Sequence, residues 1–192
     1  LLTELLEKND HSAWLAQFRE LEKEEIKEVI HDELNPTSEV MTMGEVIRVL
    51  NELSGGDAII VTDVGQHQMV TCRYAKFNSS KSNVTSGGLG TMGFGLPAAI
   101  GAWYGAPEKD VVMVCGDGGF QMTLQELGTI MQFGAKVKIL ILNNSFLGMV
   151  RQWQELFNDK RYSFVDITSP DFVALAKAYH IDGQKIDARS EL

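Results

Sequence analysis

The run Val111-Val112-Met113-Val114-Cys115-Gly116-Asp117-Gly118-Gly119 sets five apolar residues directly against an aspartate flanked by glycines. A run this short, with no polar alternation, reads as a strand buried on both faces, and such strands belong to parallel sheets. Working outward, Ala58 to Val61 and Val137 to Leu142 have the same character. Helical signals lie between them. Thr42 and Glu45 form a capping box, followed by Val46, Val49, Leu50 and Leu53 as a buried face, and Ser54-Gly55-Gly56 ends that helix. Thr123 and Glu126 make a second box, opening a helix through Leu127, Ile130 and Met131 that stops at Gly134. Ser169-Pro170-Asp171 starts another, with Phe172, Leu175, Ala176 and Tyr179 inward. The alternation predicts an α/β fold: a three-layer αβα sandwich around a mostly parallel sheet.

Residues 1–34 read as a polar helical arm, with Trp14, Phe18 and Leu21 on one narrow apolar stripe and a charged, solvated run from Glu20 to Glu33. Asn35-Pro36 breaks the pattern. The expected organisation is therefore a helical arm at 1–34, a linker at 35–40 and one domain at 41–192. The first residue is Leu and the last three are Ser190-Glu191-Leu192, so both ends read as cuts in a longer polypeptide. A net charge of −9 argues against nucleic acid or a membrane surface as partner. No apolar run approaches the roughly 20 residues that span a bilayer. Cys72 and Cys115 have no CxxC neighbour and read as free thiols in a reducing, cytoplasmic setting.

In sheets of this kind ligands bind beyond the carboxyl ends of the strands. Each strand runs into a polar cluster: Asp63-Val64-Gly65-Gln66-His67-Gln68, Gly116-Asp117-Gly118-Gly119, and Asn143-Asn144-Ser145. Asp117 offers a carboxylate oxygen and Asn144 an amide oxygen, both hard ligands suited to Mg²⁺. One protein charge leaves the ion short of neutral, and a diphosphate supplies the rest. The adjoining glycines admit phosphate oxygens to backbone amides, and the helix opening near Thr123 adds positive charge at its N-terminus. Taken singly, the GDG is a tight turn and the Asn pair a strand-end cap. Gly88, Gly90 and Gly93 match the dinucleotide fingerprint G-x-G-x-x-G, which requires a preceding strand. Lys76 to Ser82 are polar, so the stretch reads instead as a loop against which a flat ligand packs, followed by close helix packing through Gly95, Ala98, Ala99 and Gly101.

Gly116-Asp117-Gly118 followed after a gap by Asn143-Asn144 resembles the thiamine-diphosphate signature of enzymes that decarboxylate or ligate 2-oxo acids. The strings Asp63 to Met69, Thr85 to Gly101 and Gly148 to Gln154 resemble the C-terminal domain of the acetolactate synthase (acetohydroxyacid synthase) large subunit. The resemblance spans about residues 40 to 192, makes residues 1–34 the tail of a preceding domain, and implies a set of roles. Asp117, the Asn144 side chain and the Phe146 carbonyl ligate Mg²⁺. Gln66 and His67 contact the diphosphate, and Gly118 and Gly119 offer it backbone contacts. Gly90 packs against the cofactor and Met92 supports its bent form; the plain alternative for Met92 is a gap-filling loop methionine. Gly65, Gly116, Leu147 and Gly148 complete the cofactor contacts. Met149, which also touches cofactor, and Trp153 line the substrate's approach; read from spacing alone, core packing explains that pair equally well.

The reaction implied is decarboxylation of pyruvate and ligation of its two-carbon unit to a second 2-oxo acid, pyruvate or 2-oxobutyrate, for branched-chain amino acid biosynthesis. The resemblance further implies a homodimer or higher assembly, a small regulatory subunit, and FAD held by a domain outside this sequence. The family's catalytic glutamate lies in the partner's N-terminal domain, so no catalytic residue is expected here and the isolated chain is expected to be inactive. Val70 stands where many relatives carry an aromatic and Gly119 where many carry serine, which leaves substrate details open. The alternatives are the corresponding domain of another thiamine-diphosphate decarboxylase, oxidase or carboligase, and a non-catalytic cofactor-binding module.

Overall fold

The computed structural model describes residues 9–192, and the first residues of the expected arm lie outside that range. Helix α1 (Ser12–Glu25) runs through a π-helical turn (Ile26–Ile30) into α2 (His31–Leu34). Trp14, Phe18 and Leu21 remain more than half exposed, so among the described residues the narrow stripe covers no core. Among the described residues the arm docks through its second half: Ile30 and Leu34 pack on one core cluster, the Glu33 carboxylate accepts from the Tyr74 hydroxyl, and Glu25 pairs with Arg73.

Helix α3 (Met43–Ser54) is capped by Thr42, whose Oγ1 accepts from the Glu45 N–H at 3.1 Å, and ends at left-handed Gly55. The expected box is only half formed, because the Glu45 carboxylate turns to Arg189 rather than back to the Thr42 N–H. Its buried face differs from the expected one. Gly44, Glu45, Val46 and Ile47 are buried, whereas Leu53 is 81 % exposed. The docked end of the arm covers the first turn from outside, so that turn is enclosed all round while the last turn is open.

Strand β1 (Ile59–Thr62) leads to α4 (Gln66–Tyr74), then β2 (Asn83–Thr85), α5 (Gly95–Gly105) and β3 (Val111–Gly116). The short α6 (Asp117–Gln121), a 3₁₀ turn (Leu124–Glu126) and α7 (Leu127–Phe133) precede β4 (Val137–Leu142), which is followed by α8 (Gly148–Phe157) and α9 (Phe172–Ala178). The sheet is four-stranded and wholly parallel, in the order β2-β1-β3-β4. One face is closed by Leu96, Ala99, Phe120 and Leu127, the other by Ile47 and Tyr74, which gives the three expected layers. β1 and β3 are almost fully buried, as continuous apolar strands require; β4 is only half-buried.

Three local expectations are corrected. Thr123 and Glu126 form no capping box: the Thr123 hydroxyl donates to the Gly93 carbonyl at 3.0 Å, and Glu126 Oε2 accepts from Thr129. The helix whose N-terminus adjoins the GDG turn is α6, which begins at Asp117 itself. Gly101 has open space around its α-carbon and takes no part in close packing, unlike Gly95. Asp171 does cap α9, accepting from the Val173 and Ala174 N–H groups at 2.9 Å.

Candidate functional site

From β1 the chain moves outward to β2, then crosses back to place β3 on the opposite side of β1. The connections therefore diverge between β1 and β3, and a crevice opens at such a switch point beyond the carboxyl ends of the strands. A half-open cleft lies there. Its walls are the turns that follow β1, β3 and β4, with Met92 and the start of α3 closing it.

The turn after β1 contributes Gly65, Gln66 and His67. His67 is buried, and its Nε2 has no protein partner. Burial pushes the imidazole below its ordinary pKa, against the opposing pull of the Asp63 and Asp117 carboxylates and the Asp63 backbone carbonyl. A neutral ring with an unpaired buried nitrogen is costly in isolation, so this atom is suited to meeting a ligand. Gln66 Nε2 donates to Gln152 Oε1 at 2.9 Å, which ties this turn to α8.

The turn after β3 contributes Gly116, Asp117, Gly118 and Gly119. Asp117 is 1 % exposed, and its Oδ2 accepts from the Ser169 hydroxyl at 2.9 Å. A Cβ on Gly118 would lie 3.0 Å from Leu147 Cδ2 and 3.8 Å from Met92 Cε, so the backbone faces the cleft without a side chain.

Gly116 is in register with Leu142, so Asp117 and Asn143-Asn144 leave adjacent strand ends, about 4.8 Å apart. Asn144 Oδ1 accepts from the Phe146 N–H at 3.0 Å, folding the loop back on itself through a left-handed Ser145. Antiparallel pairing of Phe146 with Asp166 and the Arg151 guanidinium 3.9 Å above the Phe146 ring hold that loop. Asn144, Phe146, Leu147, Gly148 and Met149 all line the cleft.

Two expected residues stand apart. Gly90 sits in the exposed loop before Met92, with φ +61, and does not line the cleft; a Cβ there would come no nearer than 3.9 Å to Val64, which does. Trp153 is 58 % exposed and packs on Phe157 at 4.9 Å, which excludes the core-packing reading for it.

The G-x-G-x-x-G stretch does follow a strand, contrary to the expectation, but a three-residue one at the sheet edge. Three of its N–H groups are already used within the chain: that of Gly93 donates to Asp63 Oδ1 at 3.1 Å, and those of Gly90 and Thr91 donate to Ser86. Just beyond the stretch, the Gly95 N–H donates to Asp63 Oδ2 at 2.8 Å. Asp63 and Ser169 carried no assigned role in the sequence. Nothing marks Ser169 beyond a helix start, whereas a lone carboxylate at the end of an apolar strand was a usable signal for Asp63.

The family model described as thiamine pyrophosphate enzyme, C-terminal TPP binding domain, matches residues 63–192. The chain belongs to that family. All the turns that wall the cleft of this TPP-binding domain fall within the matched region, apart from Met43 of α3. Over 144 residues, 74 % of this chain, it is 51 % identical to the acetolactate synthase large subunit of Lactococcus lactis subsp. lactis (strain IL1403). It is 42 % identical over 192 residues (99 % of the chain) to that of Cyanidium caldarium. Against the mitochondrial acetolactate synthase catalytic subunit of Saccharomyces cerevisiae it is 40 % identical over 195 residues. The chain spans 25, 32 and 28 % of the length of those three proteins.

Proposed function

We propose that this chain is the cofactor-binding part of an acetolactate synthase large subunit, holding thiamine diphosphate through Mg²⁺. The observation that carries the metal assignment is the pairing of buried Asp117 with Asn144 on adjacent strand ends, beside a glycine backbone open to the cleft. The donor set suits Mg²⁺, which takes few protein oxygens and shares the remainder with phosphate and water. Among the described residues no group of three His, Cys, Asp or Glu competes as a metal centre.

Asp117, the Asn144 side chain and the Phe146 carbonyl would hold the metal. Gln66, His67 and the backbone of Gly65, Gly116, Gly118 and Gly119 would meet the diphosphate, with the unpaired His67 Nε2 aligned to it through a bridging donor. Met92, Leu147, Gly148 and Met149 would enclose the organic part, and Gly90 would touch its outer edge. Bound there, the cofactor would supply a carbon nucleophile towards the 2-oxo acid carbonyl and an electron sink for the pair left when the substrate's carboxylate departs as CO₂. The residues of this chain bind and orient it and exclude water. None of them transfers the activating proton, which is assigned to a glutamate of a partner subunit.

Met149 and exposed Trp153, one turn apart on α8, would face incoming pyruvate or 2-oxobutyrate. We assign residues 1–34 to the tail of a preceding domain, 35–40 to a linker and 41–192 to this domain. FAD, a dimer or larger assembly and a small regulatory subunit belong to the whole enzyme. Two unpaired thiols favour a cytoplasmic setting, and no described helix is long and apolar enough to cross a membrane. The test is the product made from pyruvate by the full-length enzyme. Acetolactate is expected; acetaldehyde or acetyl phosphate as the sole product would overturn the assignment in favour of a decarboxylase or oxidase.

A further inference from the structure

Asp63 is 0 % exposed, and among the described residues no cation pairs with it. A buried carboxylate without a counter-ion is expensive unless hydrogen bonds replace its hydration. Three do so here. Oδ1 accepts from the N–H groups of Val64 (2.8 Å) and Gly93 (3.1 Å), and Oδ2 from that of Gly95 (2.8 Å). On its other side the carboxylate abuts Gly119, where any Cβ would collide with Oδ1. Gly95 lies so close that its own Cβ would fall 3.0 Å from Asp63 Cβ. Glycines in two separate motifs are therefore shaped around one oxygen pair.

These contacts link the two walls of the cleft. Gly93 follows Met92 directly, and Gly119 ends the turn that carries Asp117 and Gly118. Thr123 holds the same loop from the opposite end, its hydroxyl donating to the Gly93 carbonyl at 3.0 Å. Met92 in turn reaches to within 3.8 Å of where a Gly118 Cβ would be. Moving Asp63 thus moves Met92 relative to Asp117.

We propose that Asp63 is a positioning residue for the cofactor: through the Gly93 and Gly95 amides it sets where Met92 stands across the cleft from the Asp117-Gly118 turn. This rests on the cofactor reading above. Asn at this position keeps the shape but offers one acceptor oxygen and one amide NH₂, so an N–H donor faces another donor and at least one bond is lost.

The test uses the full-length enzyme with thiamine diphosphate and Mg²⁺, comparing wild type with Asp63→Asn and Thr123→Val. Two quantities are read: the cofactor Kd, and the near-ultraviolet circular dichroism of saturated protein, which reports the relative orientation of the cofactor's rings. Asp63→Asn is expected to weaken binding about tenfold or more, the scale typical of residues that orient a ligand's direct contacts, and to change the dichroic band. Thr123→Val is expected to change both in the same direction and less. Wild-type Kd and band in both variants, whatever their melting temperatures, would overturn the proposal. Should Asp63→Asn not fold, an unchanged Kd and band in Thr123→Val would overturn it alone. Absence of any Mg²⁺-dependent band in wild type would sink the cofactor assignment itself.

Discussion

Gly95 and Gly101 lie on the same helix, α5, and replacing each with alanine is expected to shift stability in opposite directions. At Gly95 the new Cβ would lie 2.8 Å from Met113 Cε, 3.0 Å from Asp63 Cβ and 3.1 Å from Asp63 N. Met113 and Asp63 are both 0 % exposed, and the Asp63 N–H is fixed to the Val114 carbonyl at 3.0 Å. Neither neighbour can swing into solvent. The first turn of α5 must retreat by a few tenths of an ångström, stretching the 2.8 Å bond from Gly95 N to Asp63 Oδ2. Overpacking of this kind costs about 1–3 kcal/mol, offset by at most about 1 kcal/mol from alanine's better helix propensity. The net loss is about 1–2 kcal/mol, equivalent to a melting temperature lower by roughly 2–8 °C for a chain of this size. At Gly101 nothing lies within 4 Å, so alanine should gain about 0.5–1 kcal/mol. Thermal unfolding followed by circular dichroism reads both. A Gly95→Ala variant melting at or above wild type would refute the close approach of α5 to β1.

Arg189, near the far end of the chain, donates to Glu45 Oε1 at 2.7 Å, and Glu45 is 3 % exposed with Oε2 unpartnered. Arg189→Ala leaves that buried carboxylate with only the distant Arg48, and should cost about 2 kcal/mol in urea unfolding; an unchanged midpoint would show the contact to be incidental. The pH dependence of stability follows from His67, whose pKa is lowered on folding. The unfolded chain then binds a proton that the folded one refuses, so stability is full above the unfolded value near 6.5 and declines as pH falls below it. His67→Gln should flatten the fall in urea midpoint between about pH 7 and 5; an equally steep fall in the variant would assign the effect elsewhere.

The strands that decide the fold could be read because their burial is written as unbroken apolar runs: Val137 to Leu142 was placed to the residue, and β1 and β3 to within one. β2 could not, because Asn83-Val84-Thr85 has one apolar residue and is held by main-chain pairing and by the Thr62–Thr85 hydroxyl bond. The buried face of α3 differs from the expected one because the sheet and the docked arm, tertiary partners, enclose Ile47 in its first turn while nothing described covers Leu53 in its last. Thr42 capped its helix as its spacing suggested; Thr123 did not, since the Gly93 carbonyl of another loop recruited its hydroxyl. In the site, the motif residues converged because three strand ends bring them together. The supports Ser169 and Gln152 are not legible, since their partners are remote in sequence, whereas Asp63 is marked as a lone carboxylate at the end of an apolar strand although its partners Gly93 and Gly95 are not.

The central claim is that Asp117 and Asn144 share one divalent ion that holds a diphosphate. Its most direct test is the melting shift of wild type and Asp117→Ala on adding thiamine diphosphate with Mg²⁺, each measured against either addition alone. At 100 times the dissociation constant, wild type should gain about 2.7 kcal/mol, roughly 5–11 °C for a chain of this size. The variant, lacking the one charged ligand, should gain none. A wild type that does not respond, or a variant that keeps the full shift, would contradict the account.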